Sequence, residues 1–111
     1  MMGINEVVDV ITRLHDEDVA IAVARTAEIV HCGMEFARKY PRKNDNWDIV
    51  WAIPVSDNTE IVIGDRHTDF QPFVAWHCFR GKDYSWGHYC QTFGGAFDCA
   101  MEKVRKELHL D

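Results

Sequence analysis

Apolar residues recur along this chain with two different periods. Ile4, Val7, Val8, Ile11 and Leu14 stand three and four apart, the stripe of a short amphipathic helix. His15-Asp16-Glu17-Asp18 interrupts the stripe. Asp16 or Asp18 would cap a second helix, where acids also suit the positive N-terminal end. Its inward side reads Val19, Ala22, Val23, Thr26, Val30, Met34 and Ala37, and Tyr40-Pro41 stops it, because a residue before proline is pushed out of the α region. The pattern fits one kinked helix or a pair.

After Asn44-Asp45-Asn46 the period becomes two. Trp47, Ile49, Trp51, Ile53 and Val55 alternate with Asp48, Val50, Ala52 and Pro54, which predicts a half-buried strand. Pro54 lacks an N–H for a ladder, so it marks an edge or a strand end. Ser56-Asp57-Asn58 predicts a turn, with Asn58 able to adopt the left-handed conformation. Thr59, Ile61 and Ile63 then return on the face of Trp51 and Ile53, and 64–72 is a polar connection.

Between Phe73 and Gln91 two strands flank Arg80-Gly81-Lys82-Asp83, which suits a two-residue type II′ hairpin. That register sets Arg80 against Asp83, Phe79 against Tyr84, His77 against Trp86, and Trp76 over Gly87. One face then carries Phe73, Ala75, His77, Phe79, Tyr84, Trp86, His88 and Cys90, and should lie on the helices. The other carries Val74, Trp76, Cys78, Arg80, Asp83, Ser85 and Tyr89. Its aromatic rings with polar punctuation resemble a recognition surface.

Thr92 should cap a last helix over 93–108, with Phe97, Ala100, Met101, Val104 and Leu108 inward. The resulting expectation is a single α+β domain over 1–111: an N-terminal helix or helix pair, a four-stranded antiparallel sheet, and a C-terminal helix packed on one face. Trp47, Trp51, Trp86, Phe97, Met101 and Val104 should share one core.

A chain of 111 residues has room for one such core, and 47% apolar composition is that of an ordinary globular protein. The formal charge of −6 argues against direct duplex-DNA binding, which needs a basic face; solubility accounts for it first, and competition for a basic, nucleic-acid-binding partner is the sharper alternative. Residues 1–9 lack a basic region and a long apolar core, so no signal peptide is expected, and no stretch is apolar enough to span a membrane. A cytoplasmic setting with reduced thiols follows, with no cofactor, disulfide or structural metal expected.

Several constellations could carry chemistry. His77, Cys78, His88 and Cys90 have zinc-ligand chemistry but no tight spacing, and about one zinc per purified chain would overturn their reading as packed residues. A Cys–His pair could supply a nucleophile, although nothing singles out one cysteine of Cys32, Cys78, Cys90 and Cys99. Thr92-Phe93-Gly94-Gly95 opens a helix and could meet an anion, but lacks the phosphate-loop pattern. Asp65, His67 and Asp69 could hold a divalent metal or exchange protons. Arg38, Lys39, Arg42 and Lys43 complement a helix C-terminus and offer a secondary phosphate site.

The runs Phe73-Val74-Ala75-Trp76 and Tyr84-Ser85-Trp86-Gly87-His88-Tyr89, followed by a helix, resemble short accessory proteins of phages and mobile elements in gut Firmicutes. That resemblance covers about the C-terminal third and implies an anti-defence role, as in anti-CRISPR proteins. The helix–strands–helix order is also similar to the double-stranded RNA-binding fold, whose basic start to the last helix is missing at Thr92-Phe93-Gly94-Gly95. The expectation is a non-enzymatic protein that inhibits a host defence complex by occluding it, through a site at Trp76, Arg80, Ser85 and Tyr89. A homodimer would use the same face. The alternatives are a nucleotide-binding sponge, with Trp76 or Tyr89 stacking a base and Arg80 holding phosphate, and a small metal- or thiol-dependent enzyme.

Overall fold

In the computed structural model, which describes residues 19–109, helix α1 (Val19–Lys39) precedes five strands and helix α2 (Phe93–Glu107) follows them. The strands are β1 (Lys43–Asn44), β2 (Trp47–Pro54), β3 (Thr59–Asp65), β4 (Phe73–Phe79) and β5 (Asp83–Cys90). They form one antiparallel sheet in the order β1-β2-β3-β4-β5. The class is the α+β of the sequence reading, with one strand more. The predicted helix over Ile4–Leu14 and its caps at Asp16 or Asp18 lie outside the described residues.

The added strand is short because its hairpin is tight. Lys43 pairs with Asp48 and Asn44 with Trp47 across Asp45-Asn46, and Asp45 takes a left-handed φ of 52°. The polar Asn44-Asp45-Asn46 run therefore turns the chain, where the sequence suggested only a break.

Helix α1 ends one residue before Tyr40-Pro41, as proline sterics require. Its buried side is Ile29, Gly33 and Ala37, rotated from the predicted Thr26–Val30–Met34 stripe, and Met34 is exposed. The cause is Trp51. Its indole lies flat enough under the helix that a Cβ on Gly33 would come within 2.1 Å of Nε1, so small residues face it. Nε1 donates to the carbonyl of Ile29 at 3.3 Å.

The single predicted face of β2 is divided by a bulge between Ile49 and Trp51. An extra residue reverses the sense of alternation. Trp51, Ile53 and Val55 join Ile29, Ile61, Ile63, Ala75, Ala96, Phe97, Ala100, Met101 and Val104 under the helices. Trp47 and Ile49 instead join Ala52, Val62, Val74, Trp76 and Cys78 on the reverse face. The sheet curls, so that this second face also buries a core, against Phe36 and Tyr84. Both faces of β3 and β4 are consequently dry. Ile61 and Ile63 return on the face of Trp51 and Ile53, as expected, and pair with Ile53 and Trp51 respectively. Asn58 keeps a negative φ, and its Oδ1 instead accepts from the Ser56 and Thr59 hydroxyls at 3.2 Å each.

Helix α2 starts where its cap predicts. Thr92 Oγ1 accepts the Gly95 N–H at 3.0 Å, and Ala96, Phe97, Ala100, Met101 and Val104 are buried. Among the described residues no helix is long and apolar enough to cross a membrane.

Candidate functional site

The hairpin of β4 and β5 departs from the predicted register in an informative way. Near the turn Phe79 pairs with Asp83, Cys78 with Tyr84 and His77 with Ser85, leaving a three-residue loop, Arg80-Gly81-Lys82. Arg80 and Gly81 both have positive φ, 56° and 75°, so the bend is of the I′ sense rather than II′. Farther along, Ala75–His88, Val74–Tyr89 and Phe73–Cys90 obey the predicted register. Trp86 absorbs the one-residue difference as a bulge with φ 56°. A left-handed tryptophan costs of order 1–3 kcal/mol, and its neighbours hold it there. The Lys103 ammonium donates to its carbonyl at 2.7 Å, while its ring meets His77 and Phe79 edge-on at 4.9 and 5.6 Å.

Strand β5 is the outer strand, and among the described residues no strand lies along its far edge. Trp86 is 65% exposed and Tyr89 52%. They project to opposite faces. Trp86 is on the α2 side, with His77, whereas Tyr89 is on the reverse side, 5.8 Å from Trp47. Trp47 is itself steadied by Trp76 at 5.4 Å and by the Arg66 guanidinium at 4.7 Å. Phe70, another exposed ring, sits in the loop that Gln91 ties to the end of β5. Gln91 accepts from Gln71 N at 3.0 Å and donates to the Asp69 carbonyl at 2.6 Å. Trp86 was expected in the core with Trp47 and Trp51. The bulge puts it outside, and the two other tryptophans lie in different clusters.

The four residues singled out from the sequence do not come together. Trp76 is only 6% exposed, packed between Trp47 and Tyr84 and over Gly87, where a Cβ would lie 2.7 Å from its Nε1. The curl of the sheet covers it, against the expectation that it stays partly wet. Arg80 is in the exposed turn, and Tyr89 pairs with Val74 near the far end of β4, roughly 20 Å away at the usual strand rise. One nucleotide cannot be stacked at Tyr89 and held by Arg80. Ser85 is half-buried opposite His77. Of the four, Tyr89 alone puts an exposed aromatic ring on the edge that no described strand covers.

The remaining constellations resolve differently. Cys78 is buried on the reverse face, away from His77. Among the described residues no three His, Cys, Asp or Glu side chains are grouped to hold a metal. His67 sits between Asp48 (2.7 Å) and Asp65 (3.4 Å), with Asp48 in the place expected for Asp69. The carboxyl of Asp48 is held below its ordinary range by that hydrogen bond and by Lys43. The basic cluster is largely neutralised: Arg38 pairs with Glu35, Lys43 with Asp48 at 3.4 Å, and Arg42 with both oxygens of Glu60 at 2.9 and 2.7 Å. At the start of α2 the Gly95 N–H is already taken by Thr92.

Beneath Trp86 a cavity of about 210 Å³ is lined by His77, His88, Cys99, Glu102, Lys103 and Lys106. Burial, and then the Lys103 ammonium, hold the His77 pKa below its ordinary 6.5, although Glu107 at 3.2 Å pulls the other way. His77 Nδ1 is buried without a partner. Neutral His77 with its proton on Nε2, donating to Glu107, leaves only a lone pair bare there. Because the folded-state pKa is lowered, His77 is neutral in both states above pH 6.5. Below it the unfolded chain takes the proton first, so stability falls as pH drops towards the folded value. His77→Gln should flatten the decline of denaturant-measured stability as pH falls below about 6.5. An unchanged slope would assign it to other groups.

Compared with protein-family models, with curated proteins and with solved structures, the chain finds no match.

Proposed function

We propose that this is a non-catalytic binding protein that engages a partner protein by taking an extended segment of it along the outer edge of β5. The observation that carries this reading is a strand edge that no described strand covers, with one exposed aromatic ring on each face, Trp86 and Tyr89. An added strand would gain main-chain hydrogen bonds from the edge. Its alternate side chains would meet Trp86 on one side and Tyr89 on the other. Exposed edges are ordinarily blunted by lysine or proline, and β5 has neither; its one formal charge is Asp83 at the turn end. The bulge limits pairing near Trp86, which favours a short partner segment over a long one. The net charge of −6 favours a basic partner, through faster encounter and rejection of acidic competitors. An inhibitor of a host defence complex, as the resemblance to phage accessory proteins implies, would act in this way by occupying an edge that the complex uses.

The test begins with capture of a partner from bacterial lysate and continues with titration of the purified pair. Trp86→Ala and Tyr89→Ala should each weaken the complex at least about tenfold, since an interfacial aromatic is often worth ~2 kcal/mol or more. Each variant gives up ring contacts, Trp86 with His77 and Phe79 and Tyr89 with Trp47, worth about 0.5–1.5 kcal/mol per aromatic pair, so far-UV circular dichroism checks that each is folded before titration. Light scattering distinguishes the occupant: a second copy on the edge would make the variants smaller in solution. Unaltered affinity and size in both variants would sink the reading.

A further inference from the structure

Cys90 is the last residue of β5, and Cys99 lies in the second turn of α2. Their sulfurs are 3.9 Å apart, and the start of α2 packs so closely that a Cβ on Gly95 would lie 3.6 Å from the Cys90 Cβ. A disulfide needs about 2.05 Å between sulfurs, a gap that side-chain rotation and a small strand movement can close. The cap at Thr92 fixes the start of α2 beside the end of β5, which keeps the two sulfurs close. We propose that Cys90 and Cys99 are a reversible dithiol site that reacts with small disulfides and pins the end of β5 to α2.

The chemistry balances as two exchanges. The Cys99 thiolate attacks one sulfur of a small disulfide RSSR; that S–S bond breaks, and RS⁻ leaves and takes up a proton. Cys90 then gives up its proton and attacks the Cys99 sulfur, forming the internal bond and expelling the second RS⁻ as RSH. The two cysteines lose two electrons and RSSR gains them. The order follows from the surroundings. Burial, and then Cys99, push the Cys90 thiol up to about 11, so at neutral pH it is protonated and is not the first nucleophile. Once Cys99 carries the mixed disulfide it no longer opposes ionisation of Cys90. Burial holds the Lys103 pKa below its ordinary value, and charge on Cys99, one turn before it, works against that shift. The chemistry stands without the edge-strand reading; the consequence for recognition rests on it, because Trp86 and Tyr89 ride on the strand being pinned.

The test uses the full chain, reduced, freed of reductant and exposed to oxidised glutathione. The expected product is lighter by about 2 Da. After unfolding it should titrate two thiols in place of four. Peptide mapping should give a Cys90–Cys99 crosslink that dithiothreitol reverses. Cys90→Ser should stop at a glutathione adduct on Cys99. An unchanged mass, a bridge that uses Cys32 or Cys78, or a wild-type adduct that never resolves would each overturn the proposal. None of these readouts involves a partner, so a failed binding test and a failed redox test remain separate results.

Discussion

Trp51→Ala is expected to remove ~3–5 kcal/mol of folding stability, the range for deleting a large buried aromatic. A small domain has only about 5–15 kcal/mol in all, so much of the variant should be unfolded at physiological temperature. Trp51 is fully buried, meets Phe97 edge-on at 5.6 Å, and ties α1 to the sheet through the Ile29 carbonyl. Its loss opens a cavity shared by both helices and leaves that carbonyl with one acceptor site unused. Trp51→Phe keeps a ring and should lose roughly half as much. Denaturant titration followed by far-UV circular dichroism measures both. A Trp51→Ala chain as stable as the wild type would mean that the two helices and the sheet are not joined through this residue.

Gly33→Ala should also destabilise, by about 2 kcal/mol or more, against the propensity of the residue itself. Alanine in a helix interior is favoured over glycine by about 1 kcal/mol. Here the new Cβ would lie 2.1, 2.4 and 2.5 Å from Nε1, Cε2 and Cδ1 of Trp51. The ring cannot retreat, because Phe97 stands against it. Overpacking of this kind typically costs 1–3 kcal/mol, occasionally more, and helix α1 would have to lift from β2. The sign should reverse in a Trp51→Ala background, where the space is free and only the helix preference is left. A double-mutant cycle therefore reads the contact directly. Additive effects would show that Gly33 and Trp51 are not in the contact described.

Much of the fold was legible because the code for it is local. Alternation in 47–55 and 59–63, the cap at Thr92, the stop at Tyr40-Pro41 and the helical stripe from Phe97 to Val104 each depend on residues close in sequence. Trp76 over Gly87 was legible too, since a missing side chain opposite a large one is a cross-strand signal. The candidate site was far less so. Tyr89 was picked out and is exposed, but Trp86 was placed in the core and Trp76 on the surface, the reverse of what the structure has. The Trp86 error comes from a single inserted residue, whereas Trp76 keeps its predicted face and is buried by the curl of the sheet. A bulge at Val50 and another at Trp86 exchange the faces of everything on one side of them, and period-two reasoning has no term for an extra residue. A left-handed tryptophan carries no local signal at all; Lys103 and His77, from elsewhere in the chain, hold it.

The proximity of Cys90 to Cys99 was not read from the sequence, where four cysteines stand as reduced thiols with none singled out. Their 3.9 Å spacing depends on how closely α2 settles on the strand end.

By itself, the sequence determined the described helices, the four long strands and their antiparallel sense, and the buried stripe of α2 from Phe97 to Val104. Those follow from periodicity, turn chemistry and capping, whose energies are local and of one sign. Tertiary structure alone decided the second core on the reverse face, the rotation of α1 onto Gly33, and the exposure of Trp86 beside an open edge. Each of these depends on curvature and on which distant side chain fills a space, and close packing settles that only once the sheet has curled.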